Sequence, residues 1–120
     1  MDLPGQVIGA AIEVHRHLGP GLLESAYQRC LAWEFDARGI AYERERPAPV
    51  SYKGAAIDCG YRLDFVVGGS LVVETKSVEC LTSVHLAQVL TYLKLGGWRL
   101  GLLLNFNAQT MREGIRRVIL

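Results

Sequence analysis

The chain predicts an α/β sandwich, a mixed β-sheet flanked by helices in one compact domain spanning residues 1–120. Three observations predict it. Apolar residues recur at helical spacing in two N-terminal segments, two β-branched and aromatic runs flank Gly68-Gly69-Ser70, and a nearly continuous apolar run, Leu100 to Leu104, follows a third helical segment. A run of that kind suits an interior strand covered on both faces. Reached from Val72 through a helical crossover, it forms a parallel unit and leaves the remaining strands antiparallel at the side.

The elements follow in order. From Pro4 to Leu18, Val7, Ile8, Ala11, Ile12, His15 and Leu18 fall on one stripe, with Pro4 suited to a first turn and Gly19 to a stop. After Gly19-Pro20-Gly21 a second helix runs to about Arg38 and ends at Gly39, with Leu23, Ala26, Tyr27, Cys30, Leu31 and Phe35 as its apolar face. The two helices pack as a short hairpin. Ala41 to Arg46 and Pro49 to Lys53 read as strands whose prolines, Pro47 and Pro49, place their ends near an edge or bend. The hairpin about Gly68 follows. Thr82 caps a third helix through Leu95, with Val84, Ala87, Leu90 and Leu93 as its packing residues and Gly96-Gly97 at its end. After the buried strand the chain finishes with a short helix or turn and a strand over Arg116 to Leu120.

Composition sets bounds on function. With 13 basic and 12 acidic residues the net charge is +1, so the strongly basic balance of a non-specific nucleic-acid binder is absent and any phosphate binding is local. Arg44 with Arg46, and Arg112 with Arg116 and Arg117, are the basic clusters, and they read as ordinary solvated charges. Cys30, Cys59 and Cys80 are widely spaced with no Cys-x-x-Cys, which fits reduced thiols in a cytosolic protein. No basic leader precedes an apolar stretch and no run approaches about 18 apolar residues, so neither a signal peptide nor a membrane span is expected and a cytoplasmic location follows.

The chemistry concentrates in the hairpin from Tyr61 to Lys76. If Gly68-Gly69-Ser70 form its loop, counting outward sets Val67 opposite Leu71, Phe65 opposite Val73 and Asp64 opposite Glu74. Opposed residues share a face, and Glu74 and Lys76 share one by alternation, so an aspartate, a glutamate and a lysine meet on one patch. Like charges across a ladder repel, which calls for a neighbouring ammonium, a bound divalent cation, or both. Hard oxygen ligands and an adjacent lysine suit metal-assisted hydrolysis of a phosphodiester. A solvated sheet edge explains Glu74-Thr75-Lys76 taken alone, and Asp64 at matching register is what argues against it.

Other residues border the same chemistry. Glu24 lies at the margin of the second helix's apolar face, where it either reaches a cleft or merely complements the helix dipole. His85, Gln88 and Tyr92 form a polar stripe on the third helix, lining that cleft or standing half-exposed. His15 and His17 face different directions and read as two surface histidines, which excludes a shared zinc site. Asn105-Phe106-Asn107 reads as a turn at the end of the buried strand.

Gly21-Leu22-Leu23-Glu24-Ser25-Ala26-Tyr27 resembles the signature of the GxxExxY proteins, a branch of the PD-(D/E)XK nuclease superfamily. The resemblance extends from Ala10-Ala11-Ile12-Glu13-Val14-His15 through Tyr61-Arg62-Leu63-Asp64, Val73-Glu74-Thr75-Lys76, Val84-His85-Leu86-Ala87-Gln88 and Tyr92-Leu93 to Gly101-Leu102-Leu103-Leu104-Asn105-Phe106. Each motif is weak and the ordered set is strong. The resemblance implies a restriction-endonuclease-like fold. It implies that Asp64 and Glu74 are the two superfamily carboxylates, Lys76 the catalytic lysine, Glu24 a helix acid assisting the metal, and Gln88 with Tyr92 supporting residues. The Thr75 carbonyl becomes a third ligand for Mg²⁺ or Mn²⁺. Two positions depart from the family pattern: Leu63 stands where proline precedes the aspartate, and Thr75 where an apolar residue is more frequent. Neither removes a ligand.

The expected function is hydrolysis of nucleic-acid phosphodiester bonds, with DNA ahead of RNA as partner, no membrane, and a homodimer left open. The rival is a non-catalytic nuclease-fold module that binds nucleic acid or a protein partner.

Overall fold

The computed structural model describes residues 1–120. Its sheet has the strand order β1-β4-β5-β6-β7, with β1 at Tyr42–Pro47, β4 at Arg62–Val67, β5 at Leu71–Lys76, β6 at Leu100–Asn105 and β7 at Ile115–Ile119. Only β5 and β6 run parallel, and the helix between them, α3 at Ser83–Gly96, makes the crossover. Every other pairing in this sheet is antiparallel. The expected α/β sandwich with its interior parallel strand is the architecture observed.

The two sheet faces bury different helices. Helices α1 (Leu3–Leu18) and α2 (Glu24–Ala37) cover one face, where Val7, Ala11, Tyr27, Leu31 and Phe35 pack on Phe65, Val73, Leu102 and Leu104. On the other face Val89, Tyr92 and Leu93 of α3 pack on Val66, Val72 and Leu103. Consecutive residues of β5 and β6 thus feed opposite cores, as a strand buried on both sides must. The approach of α3 is close: a Cβ on Gly101 would stand 2.7 Å from Val89 Cγ1, so glycine here sets the helix-to-sheet distance.

Local signals placed the helix ends. Asp2 caps α1 by accepting the Gly5 N–H at 2.9 Å, and Gly19 closes the helix at φ 66°. Gly97 closes α3 in the left-handed region, which costs an L-residue with a side chain more than it costs glycine.

Three expectations need correction. The packing face of α3 is rotated from the one read in sequence: Val84 is 72% exposed and Ala87 is exposed, whereas Val89 and Tyr92 are buried. Apolar residues surround this helix, so their spacing alone did not choose a side, and the polar stripe rather than Val84 and Ala87 turns toward the sheet. His15 is buried instead of lying on the surface, its Nε2 2.9 Å from the Ala108 carbonyl, while His17 is exposed beside Glu13. Finally, the strand after Pro49 is half of a separate antiparallel hairpin, β2 (Val50–Tyr52) with β3 (Ala55–Ile57). Lys53 and Gly54 turn it with φ 51° and 82°, and the third strand was missed because only Gly54 announces it.

Candidate active site

The ladder between β4 and β5 runs from Val67↔Leu71 through Val66↔Val72 to Phe65↔Val73 and stops there. Beyond it the regular alternation of β4 fails: Phe65 and Val67 belong to the α1/α2 core, yet Leu63 belongs to the α3 core. Opposite the break, Glu45 of β1 takes φ 52°, and pairing skips it between Arg44↔Phe65 and Arg46↔Leu63. Side chains take over the bonds the ladder gives up. The Asp64 N–H donates to Glu74 Oε1 at 3.0 Å, and the Thr75 N–H and hydroxyl donate to Asp64 Oδ2 at 2.9 and 3.1 Å. Asp64 and Glu74 therefore meet across a gap in the sheet, each held by the other's strand.

Asp64 is half-buried, and its partners sit in poor solvent. Glu74 is only 3% exposed and Thr75 is fully buried. Burial pushes the Glu74 carboxyl up to about 9, the Asp64 charge and a hydrogen bond between the two carboxyls push in the same direction, and the hydrogen bond from the Asp64 N–H and then the Lys76 charge offset this only in part. Lys76 is half-buried at the end of β5 and joins none of the molecule's ion pairs, so its ammonium remains uncommitted. The Lys76 carbonyl accepts the Phe106 N–H at 2.9 Å on the β6 side. Strand alternation then directs the Thr75 carbonyl toward β4, into the gap.

Glu24 opens α2 beside this gap. Its carboxyl is held above the usual range by desolvation first, with the Asp64 charge adding to the effect and Lys76 and His85 opposing it. A residue governed only by the helix dipole would shift the other way, so Glu24 shares the field of the carboxylate pair.

The loop before α2 explains its placement. Gly21 adopts φ 101° and its N–H donates to Asn107 Oδ1 at 3.1 Å. The Tyr27 hydroxyl accepts the Leu22 N–H at 3.1 Å and donates to the Gly19 carbonyl at 2.5 Å. Ser77 Oγ donates to the Leu22 carbonyl at 2.6 Å, tying this loop to the end of β5. The Tyr27 ring stacks on Phe106 with centroids 4.7 Å apart. Gly21 and Tyr27 thus build the loop that sets Glu24 beside the gap. Sequence reading took Tyr27 as an apolar packing residue; a hydroxyl one turn into a helix, behind a glycine-rich loop, was the signal for the clamp.

Asn105 fixes the other side. It is buried, its Oδ1 accepts the N–H groups of Val78 and Asn107 at 3.1 and 3.2 Å, and its Nδ2 donates to the Val78 carbonyl at 3.0 Å. The turn expected at Asn105 is present, and it also pins the segment after Lys76. Asn105→Ala leaves these backbone groups without partners, and urea denaturation is expected to show a loss of about 1–3 kcal/mol. A variant as stable as wild type would mean that water replaces the amide without cost.

From the α3 side, the Tyr92 phenol is raised by burial and then by the charges of Glu74 and Asp64, and its ring meets Tyr61 edge to face at 6.2 Å. Gln88, one turn earlier, is half-buried and makes no hydrogen bond to the carboxylates. The structure thus draws Asp64, Glu74, Thr75, Lys76, Glu24 and Tyr92 into one electrostatic neighbourhood, with Gln88 at its border.

No three acidic, histidine or cysteine side chains stand together as a ready-made metal cage. The donors present are two adjoining carboxyls and the Thr75 carbonyl, a set that fits a hard divalent cation retaining several waters. A cation held there would offset the burial and the like charge that raise the proton affinity of Glu74. A groove of about 490 Å³ between α1 and α2 contains none of these residues, and its two acids, Glu13 and Glu34, are already paired with Arg16, His17 and Arg38. The open chemistry lies at the sheet gap.

No curated protein and no solved structure matches the chain. The family model that does match is that of the PD-(D/E)XK nuclease superfamily, over residues 1–118, nearly the whole sequence. With two acids and a lysine gathered where two central strands part, the chain belongs to the PD-(D/E)XK nuclease superfamily.

Proposed function

We propose that this protein is a metal-dependent nuclease of the GxxExxY branch, hydrolysing phosphodiester bonds in nucleic acid, with DNA rather than RNA as substrate, in the cytoplasm. The observation carrying this reading is the meeting of Asp64 and Glu74 across the gap, where burial first and the Asp64 charge second hold the Glu74 carboxyl protonated beside an ammonium with no ion-pair partner. Asp64, Glu74 and the Thr75 carbonyl would hold Mg²⁺ or Mn²⁺, with Glu24 joining directly or through water. When bound, the ion lowers the pKa of water and neutralises charge on the phosphate. Lys76 orients the attacking water, assists its deprotonation and stabilises charge on the phosphate oxygens. Gln88 and Tyr92 orient Lys76 or a phosphate oxygen.

The test is incubation of the protein with duplex DNA, single-stranded DNA and RNA, each with Mg²⁺, Mn²⁺ or EDTA. Cleavage of DNA that EDTA abolishes is the expected result. Metal-independent binding of nucleic acid without any cut would replace the enzyme by the non-catalytic module.

A further inference from the structure

His85 is the third residue of α3 and completes an unusual cap. Its Nδ1 accepts the Thr82 backbone N–H at 3.0 Å and lies 3.4 Å from the Thr82 hydroxyl. A ring nitrogen that accepts an N–H carries no proton, so the neutral imidazole holds its proton on Nε2. That N–H makes no hydrogen bond within the protein, and the ring is half-buried. Its position is set by the stripe it begins: Gln88, one turn on, is half-buried, and Tyr92, two turns on, is buried in one cluster with Leu63, the neighbour of Asp64, its ring edge-on to Tyr61 at 6.2 Å. His85 thus presents a fixed donor, with no acceptor of its own, at the border of a site lined by three carboxyls.

An anionic strand entering such a site meets the Asp64 carboxylate, and donors along its path offset that repulsion. Lys76 is one. We propose that the His85 Nε2–H is another, donating a hydrogen bond to a backbone phosphate oxygen of the nucleic-acid strand that lies across the Asp64–Glu74 gap. This rests on the nuclease reading and adds a substrate contact to it. The cap makes the ring a binding group rather than a proton carrier, because a proton on Nδ1 would break the bond from Thr82.

A single substitution separates the contact from the cap. His85→Glu retains a side-chain acceptor for the Thr82 N–H, in the usual threonine-to-glutamate capping arrangement, while an anion replaces the donor. His85→Gln retains both an acceptor and a donor. The probes are a fluorescein-labelled DNA duplex and its single strand, with Ca²⁺ in place of Mg²⁺ for binding and Mg²⁺ for turnover. His85→Glu is expected to weaken Kd and raise KM by about tenfold or more, leaving kcat within a small factor and thermal unfolding unchanged, while His85→Gln recovers most of the affinity. If His85→Glu binds and cuts as wild type does, the histidine is a cap alone and the proposal is wrong. Should His85→Glu lose its fold, His85→Ala is compared with His85→Gln, and equal affinity in those two is likewise fatal to it. Wild-type protein that neither binds nor cuts would remove the nuclease reading itself, and this contact with it, whereas wild-type cleavage matched by His85→Glu confines the failure to His85.

Discussion

Glu74→Ala is expected to abolish divalent-cation binding and cleavage together, whereas Lys76→Ala keeps the cation and loses cleavage by about 10²- to 10³-fold in kcat. The difference follows from what each side chain does. Glu74 supplies one of only two adjoining carboxyls at the gap, so its loss leaves too few ligands for a hard ion. Lys76 stands at the end of the same strand with its ammonium in no ion pair, so its removal deletes a charge and spares the ligands. Calorimetric titration with Mn²⁺ and single-turnover cleavage, run on both variants, separate the two effects. Undiminished Mn²⁺ binding by Glu74→Ala would remove Glu74 from the ligand set. Because the Glu74 carboxyl must lose a proton held up to about 9, cation binding should also release protons and tighten as pH rises toward that value.

Glu74→Gln is expected to stabilise the metal-free protein, by more as the pH rises. The folded carboxyl titrates at about 9 against an ordinary value of 4.5, so between those values the folded chain keeps a proton that the unfolded chain gives up. Stability conferred by the neutral form is complete below the lower value and falls as pH rises through the window, at about 1.4 kcal/mol per pH unit while the two states differ by a full proton. A glutamine has no proton to lose. Its amide oxygen can still accept the Asp64 N–H and its NH₂ can donate to the Asp64 carboxylate, so the gap stays bridged. At pH 8 the gain should reach about 2–4 kcal/mol, less than the full linkage value because the site relaxes. Urea denaturation in EDTA between about pH 5.5 and 8.5 measures it, and parallel pH profiles for wild type and variant would show that burial does not hold the proton on Glu74. Added Mn²⁺ should reverse the decline in wild type and leave Glu74→Gln unchanged.

Much of the architecture was legible in the chain because the signals that carry it are local. Gly68-Gly69-Ser70 between two apolar runs located the hairpin, and counting outward set Val67 against Leu71 and Phe65 against Val73. Thr82 and Gly97 bracket α3, and the apolar run after it is the parallel interior strand. Register and capping depend on neighbours in sequence, so a sequence discloses them. The meeting of Asp64 with Glu74 was anticipated from that same counting, yet it arises differently: the ladder ends one residue earlier, and the carboxyls replace the missing backbone bonds.

What only the tertiary structure decided involves surfaces meeting from distant parts of the chain. The break in β4 lies opposite Glu45, a residue 19 positions before Asp64 whose left-handed backbone no local motif announces. The face of α3 that packs was chosen by the sheet, since Gly101 and Leu103 receive Val89 and Tyr92 and leave Val84 outside. The clamp of Tyr27 and Ser77 on the loop before Glu24 joins segments 50 residues apart in sequence. By itself the sequence determined the order of helices and strands outside the β2–β3 hairpin, and where the charges stand along the chain. The protein's burial of one carboxyl against another, which raises the proton affinity of Glu74, belongs to the folded state alone, because desolvation and proximity arise only when the strands and helices close around the gap.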